Sequence, residues 1–369
     1  MTTNASPYGR KTPPVSRTAV RRTNTRRKNA RRRRRRNNRI KKTLLLLFLL
    51  LLIVGAGIGI IYMLRGGNMT TMDFAYSTAT EFSNTLSAKE NLRADPFAEN
   101  LCVVGKDVDL PTATLQDSQA GLLLDMNRKK VLYSRRAFER VYPASITKIA
   151  TAVIALTYGD MNETVTIRQS DVELEEQAQV CGFMEGDQLK MDQLLRCLLV
   201  YSGNDAAAAI ARHVGGSVEE FVSLMNSYAA SIGCTGTHFT NPHGLHDVDH
   251  YTTPYDIYLM LNEAIKYPEF TEITQLSEYT VNYTRYDGSA VSTRLEATDH
   301  YLTGEATAPK NVVVLGGKTG TTSAAGNCLA ILVQNAYGEP FTSIVMGASS
   351  KEVLYSQMNS LLQNINGRI

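Results

Sequence analysis

The sequence predicts an α/β-type (α+β) domain, an antiparallel sheet flanked by helices, with a helical subdomain inserted in its middle. Strand-like pairs stand near both ends of the segment 116–369, and apolar residues at helical spacing fill the stretch between them. No internal repeat suggests a solenoid or a propeller.

The elements follow in order. GLLLDMN (121–127) and KKVLYSRR (129–136) are short apolar runs parted by a polar turn, a hairpin signal. PASITKIATA opens a helix from Ser145 to about Tyr158, with Pro143 at its entrance and Ile149, Val153 and Ile154 as the buried stripe. TVTIR (164–168) reads as a strand, and 170–190 as irregular. Helices are expected over Met191–Tyr201, Asn204–Val214, Val218–Ile232 and, with proline first, Pro254–Ile265. THFTNPHGL (237–245) is a loop broken by Asn-Pro and Gly. YTVNYT (279–284) and the segment around Leu295 to Leu302 look extended. NVVVLGGKTG (311–320) is a strand running into glycines. NCLAILVQ and FTSIVMGAS, joined by AYGEP, form an antiparallel hairpin, and 351–364 a last amphipathic helix.

Charge is segregated along the 369 residues. Residues 1–42 hold 17 of the 39 Lys and Arg and no acid; beyond Arg65, 21 basic residues face all 35 acidic ones. Between these parts runs an uncharged apolar stretch, Leu44 to Leu64, whose 21 residues match the roughly 30 Å core of a bilayer. The basic block on its N-terminal side orients the span with the N-terminus in the cytoplasm and the C-terminal domain outside. A cleavable signal peptide fits less well, because the leader is long and Arg65-Gly66-Gly67-Asn68 offers no small-x-small site. The expected organisation is therefore a disordered Arg-rich cytoplasmic tail (1–43), a transmembrane signal anchor (44–64), an extracellular stalk (65–115) and one domain (116–369). The protein is expected at the cell membrane, single-pass. The run Arg31 to Arg36 could meet nucleic acid or anionic lipid, but a tail that enforces topology accounts for it, and no nucleic-acid partner is expected.

Five cysteines show no metal-like C-x-x-C pair. Cys197 and Cys328 lie in apolar words that suit buried small residues, and a Cys102–Cys181 disulfide is conceivable in an exported domain.

The chemistry gathers around Ser145, three residues before Lys148. At a helix start these two share a face, which places a hydroxyl nucleophile beside a possible base. Two further motifs stand downstream: Ser202-Gly203-Asn204, after the apolar word LLRCLLVY, and Lys318-Thr319-Gly320, closing the strand NVVVLGG. Any one of them alone is weak, since Ser-x-x-Lys is common and Asn204 could be merely a helix cap. Their order and contexts together specify a site.

With the flanking words PAS-x-T-K, SGNDAA, NPHGL and GGKTGTT, the segment from about Gln119 to Gln363 resembles the low-molecular-mass penicillin-binding proteins that act as serine-type D-alanyl-D-alanine carboxypeptidases. The resemblance implies a β-lactamase/transpeptidase-like fold without cofactor or metal. Its substrate would be a peptidoglycan stem peptide ending in D-Ala-D-Ala, and β-lactams would be covalent inhibitors. Ser145 would attack the peptide carbonyl and form an acyl-enzyme that water resolves. No histidine accompanies it in the motif, so Lys148 is the candidate base and must be neutral. Moving a lysine from about 10.4 to near 7 costs roughly 4–5 kcal/mol, which burial and a second cation, Lys318, can supply. As in the resembled family, Ser202 would relay a proton to the leaving amine and Asn204 hold the substrate amide. Lys318 and Thr319 would bind the terminal carboxylate, Gly320 admit the substrate backbone, and the N–H groups of Ser145 and Thr321 form the oxyanion hole.

Two departures matter. The chain ends about fifty residues after Lys318, leaving room for a hairpin and one helix where many members carry a further β-rich domain, so the N-terminal span is expected to anchor the protein. Thr298 to Leu302 stands where members have an Asn-containing turn, and it receives no role. His243, His246 and His250 with Asp247 and Asp249 could be drawn as a metal site, but they lie in a loop rather than on one helix face. A class A β-lactamase would need a Glu-x-x-Leu-Asn word between Ser202 and Lys318, and there is none. A D,D-endopeptidase uses the same residues and stays open, as does a non-turnover β-lactam sensor. The sequence does not give the oligomeric state.

Overall fold

A computed structural model describes residues 100–113, 115 and 119–367. The tail, the span 44–64 and most of the stalk lie outside the described residues. Among those described, no helix is long and apolar enough to cross a membrane.

A five-stranded antiparallel sheet runs in the order β2-β1-β9-β8-β7. Its strands are β1 (Ala120–Asp125), β2 (Lys130–Arg135), β7 (Val313–Thr322), β8 (Gly326–Gln334) and β9 (Pro340–Ala348). The first hairpin therefore docks against the last one, with Leu122 opposite Ile344. The unbroken apolar runs are explained by burial of both sheet faces. Leu122, Leu124, Ala330, Ile344 and Met346 point into the large core. Leu123, Leu329, Ile331, Phe341 and Val345 point into a smaller one, closed by Leu354, Met358, Leu361 and Leu362 of the last helix, α9 (Lys351–Leu362).

The central insertion holds α1 (Lys148–Tyr158), α2 (Gln169–Val172), α3 (Met191–Arg196), α4 (Asn204–Gly215), α5 (Val218–Ser231), α6 (Pro254–Ala264) and α7 (Pro268–Thr274). Ile149, Val153 and Ile154 of α1 are buried, the stripe its spacing requires. Ser217 and Thr253 cap α5 and α6 through their side chains.

Three features differ from expectation. A second antiparallel sheet, β3-β4-β5-β6, joins Thr164–Thr166, Gln188–Lys190, Glu278–Thr284 and Ala290–Glu296. The segment Leu295–Leu302 is extended only to Glu296. Asp299 then accepts a hydrogen bond from the Tyr301 N–H and starts a helical turn, α8 (His300–Thr303), because a capping carboxylate outcompetes continued strand. The stalk boundary at 115 does not bound the packed unit. Cys102, Val104, Ala113 and Leu115 are buried, and Val108 pairs with Ser134. All five cysteines are free thiols. Cys102 donates to the Asp125 carbonyl, while Cys181 packs against Gly203, so the two belong to different parts of the core.

Candidate active site

The turn that carries Ser145 comes first. Ala144–Thr147 forms a 3₁₀ turn that runs directly into α1, placing Ser145 ahead of the helix rather than within it. Ala144 has φ 48°, a left-handed conformation unusual for a residue with a Cβ. A buried relay holds it there. Thr147 Oγ1 donates to the Ala144 carbonyl at 2.8 Å and lies 2.8 Å from His250 Nε2. His250 Nδ1 accepts from the Thr240 N–H at 3.1 Å, so the neutral ring carries its proton on Nε2 and donates it to Thr147. Burial pushes this imidazole down to about 4, keeping it neutral. Gly244 closes the same turn. At φ 85° a Cβ there would sit 1.9 Å from the Ala144 oxygen, so only glycine fits.

Lys148 lies one turn on, fully buried. Its Nζ has three neighbours: Ser145 Oγ at 2.9 Å, Asn204 Oδ1 at 2.6 Å and the His243 carbonyl at 2.8 Å. A neutral amine has two N–H donors and one lone pair. The carbonyl and amide oxygens can only accept, so they take both donors and leave the lone pair facing the Ser145 hydroxyl. Burial, then the charge of Lys318, holds Lys148 well below the usual lysine range, against smaller opposing effects of Cys181 and Asp205.

The second wall grows from a π-helical turn, Cys197–Tyr201, that continues α3 and ends at Ser202, left-handed at φ 68°. This conformation turns the chain so that Asn204 opens α4 beside Lys148. Asp205 fastens the wall by accepting from the N–H groups of Cys181 (3.0 Å) and Gly182 (3.1 Å), while the Asn204 N–H donates to the Gln179 carbonyl at 2.8 Å.

The third wall is the free edge of β7. A Cβ on Gly320 would lie 2.8 Å from the Pro143 oxygen and 2.9 Å from the Ser145 nitrogen, which is how closely the strand passes the Ser145 turn. Lys318 is buried, donates to the Thr319 carbonyl at 3.0 Å, and is lowered by burial to about 7, opposed by the charge of Asp299. Asp299 opposes the lowering at Lys318, whereas the charge of Lys318 adds to it at Lys148, so of the two amines Lys148 is the more readily neutral. The Thr319 hydroxyl meets that of Thr298, and Thr321 donates to Asn327 Oδ1 at 3.2 Å.

Between these walls lies a cleft of about 260 Å³, lined by Ser145, Ser202, Asn204, Thr319, Gly320 and Thr321 among others. Every residue assigned from the sequence is thus in or directly beneath one cleft, Lys148 and Lys318 forming its buried floor. Three contributors were not foreseen. Thr298 lines the cleft and Asp299 bears on Lys318, although this segment was given no role. Lys351, exposed at the first position of α9, also reaches it, and no motif marks it. The histidines do not converge: His243 Nδ1 accepts from the Leu245 N–H, the His246 ring packs on Tyr142, and His250 bonds Thr147 in the Ser145 turn.

Residues 108–350 match the sequence family described as D-alanyl-D-alanine carboxypeptidase, peptidase family S11. The chain belongs to this family. Within the carboxypeptidase family, DacC of Escherichia coli is 31% identical over 280 residues, 72% of this chain and 64% of that protein. DacF of Bacillus subtilis is 36% identical over 164 residues, 43% of this chain and 41% of its own length. The chain thus spans less than two thirds of the length of these relatives. The D-alanyl-D-alanine endopeptidase of E. coli is 28% identical over 76% of this chain and 87% of that protein. Among solved structures, the Streptomyces K15 DD-transpeptidase superposes with a TM-score of 0.61 at 25% identity, covering 66% of this chain and 94% of that one. A penicillin-binding protein homolog from Mycobacterium tuberculosis gives 0.61 at 26%, covering 72% and 97%. The transpeptidase/β-lactamase-like fold of the carboxypeptidase family is therefore the fold of this domain.

Proposed function

We propose that this protein is a serine-type D-alanyl-D-alanine carboxypeptidase that removes the terminal D-alanine from peptidoglycan stem peptides. The observation that carries the proposal is the arrangement at Lys148 Nζ, where two acceptors fix the amine and its lone pair faces Ser145 Oγ at 2.9 Å. Ser145 loses its proton to Lys148 as its oxygen attacks the carbonyl between the two D-alanines. The oxyanion is held by the N–H groups of Ser145 and Thr321. Ser202, at the cleft wall, passes a proton to the departing amine, and Asn204 holds the substrate amide. Lys318, Thr319 and the exposed Lys351 attract the terminal carboxylate. Water then releases the shortened peptide and restores Ser145. β-Lactams acylate the same oxygen. Anchoring through residues 44–64, with the domain outside the cytoplasm, is part of this proposal and rests on the uncharged run and the basic block before it.

A second reading, D,D-endopeptidase, is favoured by the likeness to the E. coli endopeptidase. Incubation of the full chain with a peptide ending in D-Ala-D-Ala, beside a cross-linked dimer of such peptides, tests both. Many D-alanines released per enzyme from the linear peptide support the carboxypeptidase. Cleavage of the dimer alone supports the endopeptidase, and a single stoichiometric acylation without turnover supports neither.

A further inference from the structure

A larger cavity of about 720 Å³ adjoins the catalytic cleft and has no part in the chemistry above. Its walls are continuations of the cleft's own walls. Thr322 lines the cleft and Ser323 the cavity, Leu245 the cleft and Val248 the cavity, Ser145 the cleft and Tyr142 the cavity. None of these steps exceeds three residues, so the two spaces lie within about 10 Å of each other. The direction follows from β7. Lys318 and Thr319 take the terminal carboxylate and Gly320 faces Ser145, so the strand beyond Thr321 runs along the acyl side of the substrate. The cavity is therefore reached by residues that precede the scissile bond, at a distance of about three residues.

Two charged side chains line it, Arg140 and Asp249. The Arg140 guanidinium stands 4.2 Å over the Tyr251 ring, and among the described residues no ion pair joins it to Asp249 or to any other carboxylate. Stacking fixes the planar fork while leaving its N–H donors free, the form in which arginine receives a carboxylate. We propose that this cavity is a subsite for the acyl part of the substrate, in which Arg140 binds a free carboxylate on about the third residue before the scissile bond. The inference rests on the carboxypeptidase reading for its direction along β7.

The probe is an acetylated tetrapeptide, γ-D-Glu-L-Lys-D-Ala-D-Ala, against the same peptide with the glutamate α-carboxylate converted to the amide. Binding is measured by calorimetry on the full chain carrying Ser145→Ala, so that no turnover is required. The carboxylate peptide is expected to bind roughly three- to tenfold more tightly than the amide, the ratio falling to about one in Arg140→Gln and inverting in Arg140→Glu. Because the ratio is taken within each variant, a partly misfolded preparation does not alter it. Equal affinities in the parent, or a preference that survives Arg140→Gln, overturns the subsite. Either result leaves the carboxypeptidase reading, tested separately by D-alanine release, where it stood.

Discussion

Lys148 Nζ lies 2.9 Å from Ser145 Oγ while His243 and Asn204 hold the amine from the other side, so the amine cannot swing away from the hydroxyl. Asn204→Ala removes one of the two acceptors. Acylation by benzylpenicillin, followed by fluorescence or mass, is expected to slow by about 10²-fold, the usual result of displacing a reacting group by about 1 Å.

Gly244 and Gly320 shape the Ser145 turn by having no side chain. Gly244→Ala forces a methyl to 1.9 Å from the Ala144 oxygen at φ 85°. It should cost about 2–4 kcal/mol in denaturant unfolding and about 10²-fold in acylation rate. Gly320→Ala meets the Pro143 oxygen and the Ser145 nitrogen at 2.8 and 2.9 Å, and should impair acylation at a smaller stability cost.

Lys351→Ala should lower kcat/KM for a peptide with a free C-terminal carboxylate by roughly three- to tenfold, since an exposed cation contributes little more. The effect should disappear with the corresponding C-terminal ester. An equal loss on both substrates would place Lys351 in folding rather than in recognition.

Stability should fall on acidification from about pH 6.5 to 4. His250 is lowered to about 4 by burial, so below 6.5 the unfolded chain binds a proton that the folded state refuses. The unfolded state then holds more protons, and stability rises with pH across that window. His243, lowered to about 3, acts in the same sense. In thermal melts, His250→Gln should be less stable at pH 7, through loss of the Thr147 relay, but should lose less between pH 6.5 and 4.5 than the parent.

The opposite end of the pH scale follows from the lysines. Lys318 is lowered by burial to about 7 against an ordinary 10.5, so between those values the unfolded chain again holds the extra proton. Stability should climb as pH rises from 7 to 10. Lys318→Met should flatten that climb, raise the melting temperature near neutral pH and abolish turnover.

The three motifs were legible because each serves one local geometry: a turn into a helix, a loop opening a helix, a strand edge. The strands of the main sheet were legible for a related reason, since burial on both faces leaves continuous apolar words such as NCLAILV. What escaped depends on contacts distant in sequence. Lys351 reaches the cleft only because α9 packs on the sheet beside β7's neighbours. Asp299 bears on Lys318 only after the chain turns at its own cap. Of the second sheet, TVTIR and YTVNYT were legible as β3 and β5, but β4 is three residues long, too short to impose a period, and β6 is mostly exposed, so the sheet itself was not. The packed start of the domain, with Cys102 and Val104 buried, carries no periodicity because it pairs through isolated bridges.

The most direct test of the mechanism is the rate of Ser145 acylation by benzylpenicillin as a function of pH, in the parent, Lys148→Ala and Lys148→Arg. A neutral buried Lys148 predicts a rate already at its plateau near pH 8. It also predicts a loss of several orders of magnitude in both variants, the arginine included because it cannot be deprotonated. A parent rate that keeps climbing toward pH 10.5, or near-parental acylation in Lys148→Arg, would contradict the assignment of Lys148 as the base.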